Sequence, residues 1–226
     1  MKYPNIKQAR FLRRINRFVA ICDLDGTETV VHVNNTGRCR DILVPDAKVY
    51  LSKSFSRTRS TEYDLVCVEK GERLINIDSQ APNRAAPELF SRIWPGCEIH
   101  PEQRYGDSRF DFLINTPECQ RFVEVKGVTL EENDAVFFPD APTIRGIKHL
   151  SGLCNAIMDG YHAAILFLIQ MRDVSFFAPN ERTHPEFAET LRHAANVGVE
   201  IIVWNCDVTP DSMTPHSPVP FFLHQR

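Results

Sequence analysis

The sequence lacks an apolar run long enough to cross a membrane. Its longest apolar stretch, Ala163 to Ile169, is about a third of the ~20 residues that a membrane-spanning helix needs. The first positions are followed by basic and polar residues rather than by the apolar segment of a secretion signal, so we expect a cytoplasmic protein with no membrane partner. With 43% hydrophobic and 24% charged residues, the 226-residue chain can build a core and is not of the disordered class.

Clustered cysteines are also missing. Seven cysteines are scattered along the chain without a Cys-x-x-Cys pair. Structural zinc sites and disulfide frameworks need closely spaced ligands or partners, so we expect reduced, mostly buried thiols. Glycine-rich Gly-x-Gly-x-x-Gly and P-loop patterns are absent too. This argues against an enzyme of sugar metabolism that uses a nucleotide cofactor.

Charge is present but unevenly distributed. The formal net charge is −3, yet residues 1–80 carry +4 and residues 81–226 carry −7. The first 17 positions contain six basic residues and no acidic one. This asymmetry indicates two functional units, of which the first suits phosphate groups. A solvated tail followed by a first strand explains the same basic residues and stays open.

The first 80 residues have the pattern of short strands joined by tight turns. Phe18 to Leu24 and Glu28 to Val33 flank Asp25-Gly26, a strong hairpin signal. Counting the later segments gives five to six strands with no helical periodicity between them. We therefore predict an oligonucleotide-binding (OB) barrel of five strands over residues 1–80. An unrelated β-sandwich has a similar strand count and stays open.

Residues 81–226 alternate strands with helices. Ala163 to Gln170 has the length and composition of a strand covered by helices on both faces. A helical pattern precedes it and ends at Gly160, and His184-Pro185 opens another helix. These features predict an α/β domain whose mixed sheet is flanked by helices. We expect the Pro-rich tail after Asp207 to be irregular.

Three charged residues stand out in two neighbouring predicted strands. Asp111 lies between two phenylalanines, and Glu124 and Lys126 share one strand face because side chains at i and i+2 point the same way. In a hairpin, Asp111 comes opposite Glu124. Two carboxylates suit Mg²⁺ or Mn²⁺, and with a lysine they provide what phosphodiester hydrolysis requires. An ordinary Glu–Lys pair on a solvated face is the alternative.

An acidic residue followed about 12 positions later by Glu-x-Lys resembles the restriction-endonuclease-like nuclease core. A wider set of segments resembles the sugar fermentation stimulation protein A family. These segments run in order through most of the chain: 16–18, 32–38, Asn83, 108–112, 123–130 and 138–150.

The family resemblance implies an OB domain, a nuclease-like domain, binding of DNA with little sequence preference, and a link to maltose or other sugar metabolism. It implies Asp111 and Glu124 as metal ligands and Lys126 as the catalytic lysine of a Mg²⁺- or Mn²⁺-dependent nuclease. RNA is a second candidate partner, and a homo-oligomer stays open. A DNA-binding regulatory protein that keeps a nuclease fold without catalysis is the rival hypothesis.

Further residues are candidates around this centre. The family pattern has a Glu before Ser108-Arg109, where this chain has Gly106-Asp107, so a fourth acid is sought among Asp107, Glu102 and Asp140. Thr143 is expected to cap the next helix. The candidate nucleic-acid-binding residues are Arg17, His32, Asn34, Arg38, Arg57, Arg59, Arg109, Arg145 and His149. For base stacking we favour Tyr50, Phe55 and Tyr63, and we expect Phe11 and Phe18 in the core.

Overall fold

The first part of the chain is a closed barrel. The structure is a computed structural model that describes residues 1–35, 37, 39–54 and 61–224. Its first six strands are β1 (Ile6–Arg14), β2 (Val19–Leu24), β3 (Thr27–Val33), β4 (Lys48–Lys53), β5 (Tyr63–Lys70) and β6 (Arg73–Asn76). The strands follow the order β3-β2-β1-β4-β5-β6, and a parallel β3–β5 pairing closes β1 to β5 into a ring. The predicted five-stranded OB barrel is confirmed, with β6 added to β5.

Local chemistry explains the hairpin between β2 and β3. Leu24 pairs with Thr27, so Asp25 and Gly26 form a two-residue turn. Their φ angles are +53° and +83°, and the favoured two-residue hairpin turn has positive φ at both positions. Gly26 adopts this conformation without the steric cost that a side chain brings. The Asp-Gly signal therefore sets the β2–β3 register.

The second part is a mixed sheet with helices on both faces. Its elements are α1 (Ala81–Ile93), β7 (Glu98–Tyr105), β8 (Ser108–Asn115), β9 (Gln120–Val128), β10 (Leu130–Glu132), β11 (Ala135–Phe138), α2 (Ile144–Met158), β12 (His162–Ile169), β13 (Phe176–Pro179), α3 (Pro185–Val197), β14 (Glu200–Thr209) and β15 (Ser212–Pro218). The large sheet has the order β15-β14-β12-β9-β8-β7, and β10, β11 and β13 form a small second sheet. Strands β9, β12 and β14 are parallel, whereas the outer strands are antiparallel.

Strand β12 shows why the sheet needs both helical layers. Ile165 and Phe167 are fully buried with α2 and α3, and Leu166 and Leu168 are fully buried with α1. A continuous apolar run is what a central strand of this kind requires. The predicted helix-flanked mixed sheet is confirmed. Among the described residues, no helix is long and apolar enough to cross a membrane.

The expectation of an irregular tail after Asp207 is wrong. Strand β15 pairs antiparallel with β14 and buries Met213 and Pro215. β15 is the last strand in the order of the large sheet. Proline is tolerated at a sheet edge because its missing N–H can face away from the ladder. Proline content alone therefore misled the prediction.

The barrel and the mixed sheet share a polar interface. At the end of β12, Gln170 donates from Nε2 to Asn76 Oδ1 at 3.0 Å and to the Asp78 carbonyl at 3.1 Å. A second contact joins Lys70 of β5 to Glu131 of β10 at 2.6 Å. The amide of Gln170 also lies so close to Gly127 that any side chain there would collide with it. These contacts hold the barrel beside the end of β9.

Candidate active site

Two acidic side chains meet where β8 and β9 run side by side. Phe112 pairs with Val123, which brings Asp111 next to Glu124. The Val125 amide donates to Asp111 Oδ2 at 2.8 Å. Phe110 and Phe112 pack on opposite faces of the sheet rather than on one, so the regular alternation of β8 is interrupted at Asp111. The strand pair thus turns its acidic residue toward the carboxylate of Glu124.

Glu124 has one oxygen with donors and one without. Its side chain is only 2% exposed, and Oε1 accepts hydrogen bonds from Lys126 Nζ and His149 Nδ1. Oε2 is buried, and no described residue donates to it. Burial raises the pKa of Glu124, but His149 and Lys126 together lower the pKa further, so it lies below its usual value. Glu124 is therefore ionised and keeps one oxygen for a further partner.

The pKa of Asp111 is shifted in the opposite direction to that of Glu124. Burial, followed by the negative charge of Glu124, raises the pKa of Asp111 above its ordinary value. The Val125 amide, Lys126 and Asn83 oppose this rise without cancelling it. Asn83 of α1 donates to Asp111 Oδ1 at 2.7 Å. Two neighbouring carboxylates with opposed shifts are typical of a site that holds a cation or moves a proton.

Helix α2 supplies the third side of the site. The Gly146 amide donates to Thr143 Oγ1 at 3.0 Å, which confirms the predicted cap. Arg145 Nε donates to His149 Nε2 at 3.3 Å. Because a guanidinium N–H can only donate, His149 carries its proton on Nδ1, and this proton points at Glu124. His149 is 6% exposed and lies behind Glu124, whereas Arg145 is exposed.

A cavity of about 360 Å³ opens over these groups. Its walls include Asp111, Glu124, Lys126 and Arg145 from the second part of the chain. Asn35 and Gly37 of the barrel also line it, as do Asp140 and Gln170. A methyl group on Gly37 would collide with the Asp140 carboxylate and lie 2.8 Å from Asn35 Oδ1. The barrel therefore forms part of the cavity wall.

The other predicted nucleic-acid-binding residues are spread over the surface. Arg17 is exposed, and His32 lies half-buried on β3. Asn34 donates to Asp78 Oδ1 at 2.8 Å, where it supports the interface. Arg109 is 60% exposed, forms an ion pair with Glu102 and does not line the cavity. Arg38, Arg57 and Arg59, like Phe55, lie outside the described residues.

The three candidates for a fourth acid occupy different places. Asp140 lines the cavity that also contains Asp111 and Glu124. Glu102 lines a neighbouring cleft of about 790 Å³ that also reaches Asp111. Asp107 lies in the turn between β7 and β8 and faces a separate cavity beside α2. Asp140 is thus the candidate that shares a cavity with Glu124.

Two residues without a predicted role also shape the site. Asn83 positions Asp111, and Gln170 lines the cavity and connects it to the barrel. Asn83 belongs to the segments that carry the family resemblance, and nothing in the local sequence pattern singles out Gln170. Both act through contacts between segments that are far apart in the chain.

The donor set fits a hard divalent ion held by few protein ligands. Within the described ranges, no group of three or more His, Cys, Asp or Glu side chains is arranged around one point. Mg²⁺ is commonly held by one or two carboxylates and completes its shell with water and substrate phosphate. Asp111 and the unpartnered Oε2 of Glu124 match that pattern.

The closed OB barrel and the acidic site on a mixed α/β sheet define a two-part protein with a nuclease-like second domain. Residues 12–77 match the family model described as the SfsA N-terminal OB domain. Residues 80–212 match the one described as the sugar fermentation stimulation protein RE domain. The chain belongs to the sugar fermentation stimulation protein family.

Similar proteins span nearly the whole chain. A sugar fermentation stimulation protein homolog from Ruminiclostridium cellulolyticum is 48% identical over 92% of this chain and 93% of that protein. One from Desulfitobacterium hafniense strain DCB-2 is 47% identical over 94% of each. The solved structure of Pyrococcus furiosus SfsA in complex with Ca²⁺ is 28% identical, with a TM-score of 0.88 over 98% of each chain.

Proposed function

We propose that this protein is a metal-dependent nuclease that hydrolyses phosphodiester bonds of DNA or RNA with little sequence preference. The observation that carries the proposal is the state of Glu124, a buried carboxylate whose Oε1 takes two donors while no described residue donates to Oε2. Leaving a buried charged oxygen unpaired is costly. Coordination of Mg²⁺ or Mn²⁺ by Glu124 and Asp111 removes that cost.

The ion-bound relative supports the choice of cation. The Pyrococcus furiosus SfsA structure is described as a complex with Ca²⁺. Ca²⁺ and Mg²⁺ are both hard ions that prefer oxygen ligands, as the two carboxylates here provide. A divalent ion bound at this position polarises a phosphate and lowers the pKa of a bound water.

The chain's own cations complete the proposed chemistry. Lys126 Nζ donates to Glu124 Oε1, and its side chain is 16% exposed at the cavity wall. A fixed positive charge there stabilises the negative charge that develops on a phosphate under attack, and it orients a water molecule. The exposed guanidinium of Arg145 keeps donors that can contact phosphate oxygens. His149 keeps Glu124 oriented from behind.

The barrel is proposed to hold the nucleic-acid strand. It borders the cavity through Asn35 and Gly37, so a strand bound to the barrel is delivered to the acidic site. The name shared by the relatives supports a physiological link to sugar fermentation. In this proposal the protein acts in the cytoplasm.

A cleavage assay with matched lysine variants tests the proposal. The purified protein is incubated with single- and double-stranded DNA and RNA, with Mg²⁺, Mn²⁺ or EDTA. We expect metal-dependent cleavage that falls about 100- to 1000-fold in Lys126→Ala, the range for removing one electrostatic contact to a transition state. Lys148→Ala removes the same charge from α2 outside the active-site cavity and should cleave like the parent. Binding without cleavage under every condition would overturn the proposal and favour the regulatory DNA-binding protein.

A further inference from the structure

An exposed aromatic side chain lies at the edge of the barrel. Phe18 is 49% exposed, and Ile15 beside it is 59% exposed. The prediction that Phe18 lies in the core is wrong, because Phe18 precedes β2 and falls outside the inward alternation of that strand. Of the aromatics favoured or considered for stacking, Phe11 and Tyr63 are buried, and Tyr50 is half-buried with its hydroxyl donating to Glu69 Oε1 at 2.7 Å.

The ring of Phe18 is already part of a stack. It lies parallel to the ring of His32, with 6.4 Å between the ring centroids and 12° between their planes. Val33 N donates to the Phe18 carbonyl at 2.8 Å, which holds the two segments side by side. Phe18 and His32 together therefore form a small aromatic surface, named here the Phe18–His32 platform.

A basic residue, Arg17, directly precedes Phe18 in the chain. Arg17 is exposed, and its side chain forms no hydrogen bond or ion pair with any residue in the described ranges. Three other arginines in the described part of the barrel form ion pairs: Arg10 with Asp23 and Asp46, Arg13 with Glu28, and Arg73 with Glu131 and Asp134. An aromatic surface next to an unpaired cation is the combination that single-stranded nucleic acid recognises, through a base and its phosphate.

A single guanidinium connects the platform to the active-site cavity. Arg14 donates to the Arg17 carbonyl at 2.5 Å and to the carbonyls of Asn35 at 2.7 Å and Gly37 at 3.0 Å. Asn35 and Gly37 line the cavity that contains Glu124. The backbone beside Phe18 and the cavity wall are thus within hydrogen-bonding reach of one planar group.

We propose that the Phe18–His32 platform stacks an unpaired base of the nucleic-acid strand whose phosphate occupies the active-site cavity. An unpaired base is required because bases inside a duplex already stack on their neighbours and show no free face. This inference rests on the proposed nucleic-acid substrate and narrows it to strands with at least one unpaired nucleotide beside the cleavage point.

Binding assays on a non-cleaving background test the platform. In the Lys126→Ala protein with EDTA, fluorescence anisotropy measures the Kd for a 15-nucleotide oligothymidine, for the same strand with abasic sites and for a duplex of equal length. We expect Phe18→Ala to weaken binding of oligothymidine by about 5- to 100-fold, the range for losing one base–aromatic stack. Phe18→Trp should bind like the parent, and its added indole fluorescence should be quenched by oligothymidine.

The controls separate stacking from charge and from folding. Val44→Ala truncates a comparably exposed side chain elsewhere on the barrel and should leave the Kd unchanged. The abasic strand should bind weakly to the protein that keeps Phe18, and Phe18→Ala should not weaken this binding further. The dependence of Kd on salt should be the same with and without Phe18→Ala. Unchanged binding of oligothymidine by Phe18→Ala would overturn the platform alone. If the Lys126→Ala protein that keeps Phe18 binds none of the three probes, the proposed function is overturned as well.

Discussion

Truncation of His149 offers the sharpest test of the site geometry. His149 Nδ1 donates to the buried Oε1 of Glu124, and a hydrogen bond to a charged group contributes about 1.5–3 kcal/mol. In a chain of this length, 1 kcal/mol corresponds to about 2–4 °C in Tm. We therefore expect His149→Ala to lower Tm by about 3–12 °C, with a further loss because the buried ring leaves a void.

A double-mutant cycle isolates the contact from the void. Free energies of unfolding are measured by urea denaturation for the parent, His149→Ala, Glu124→Ala and the double variant, with EDTA and without nucleic acid. The coupling energy should be about 1.5–3 kcal/mol, because the pair is directly bonded and poorly solvated. This measurement does not depend on catalysis.

A distant histidine serves as the control for the cycle. His216 lies on β15, three strands away from Glu124 in the sheet, so Glu124→Ala and His216→Ala should be additive within about 0.5 kcal/mol. A coupling below about 0.5 kcal/mol between Glu124 and His149 would refute the arrangement in which His149 orients the carboxylate.

Three further outcomes are expected. Asn83→Ala, which removes the donor to Asp111, should weaken Mg²⁺ binding by about 10- to 100-fold in calorimetry, and unchanged affinity would contradict a positioning role. Burial raises the pKa of Glu131, but Lys70 and its other partners lower it further, to below the ordinary value. Its stabilising effect is therefore present above pH ~4.5 and lost as pH falls, so the Tm difference between parent and Glu131→Gln should shrink from pH 7 to pH 3. Burial raises the pKa of Cys67 to about 12, so a thiol reagent at pH 8 should modify it only after unfolding.

Much of the fold follows from local patterns. The Asp25-Gly26 turn and the apolar run of β12 depend on neighbouring residues, and both predictions are confirmed. The same reasoning gave wrong predictions for Phe18 and for the segment that forms β15. Phe18 is apolar, yet its position just before β2 leaves it exposed. β15 contains prolines, yet its place at the sheet edge accommodates them.

The proposed catalytic trio of Asp111, Glu124 and Lys126 could be predicted because its geometry is local. Glu124 and Lys126 share a strand face by simple alternation, and the short connection between β8 and β9 brings Asp111 beside them. What surrounds the trio could not be predicted in this way. His149 reaches Glu124 across 25 positions, and Asn83 reaches Asp111 across 28.

By itself, the sequence determined the five-stranded barrel, the helix-flanked central strand of the second domain, the family, and the acidic pair with its lysine. These depend on alternation, turn chemistry and short-range register, which act between residues close in the chain. Only the tertiary structure decided that Oε1 of Glu124 accepts two hydrogen bonds while no described residue donates to Oε2. It also decided that barrel residues Asn35 and Gly37 line the cavity. Those features arise where separately formed elements pack together, and their geometry depends on burial and hydrogen bonding that no local pattern encodes.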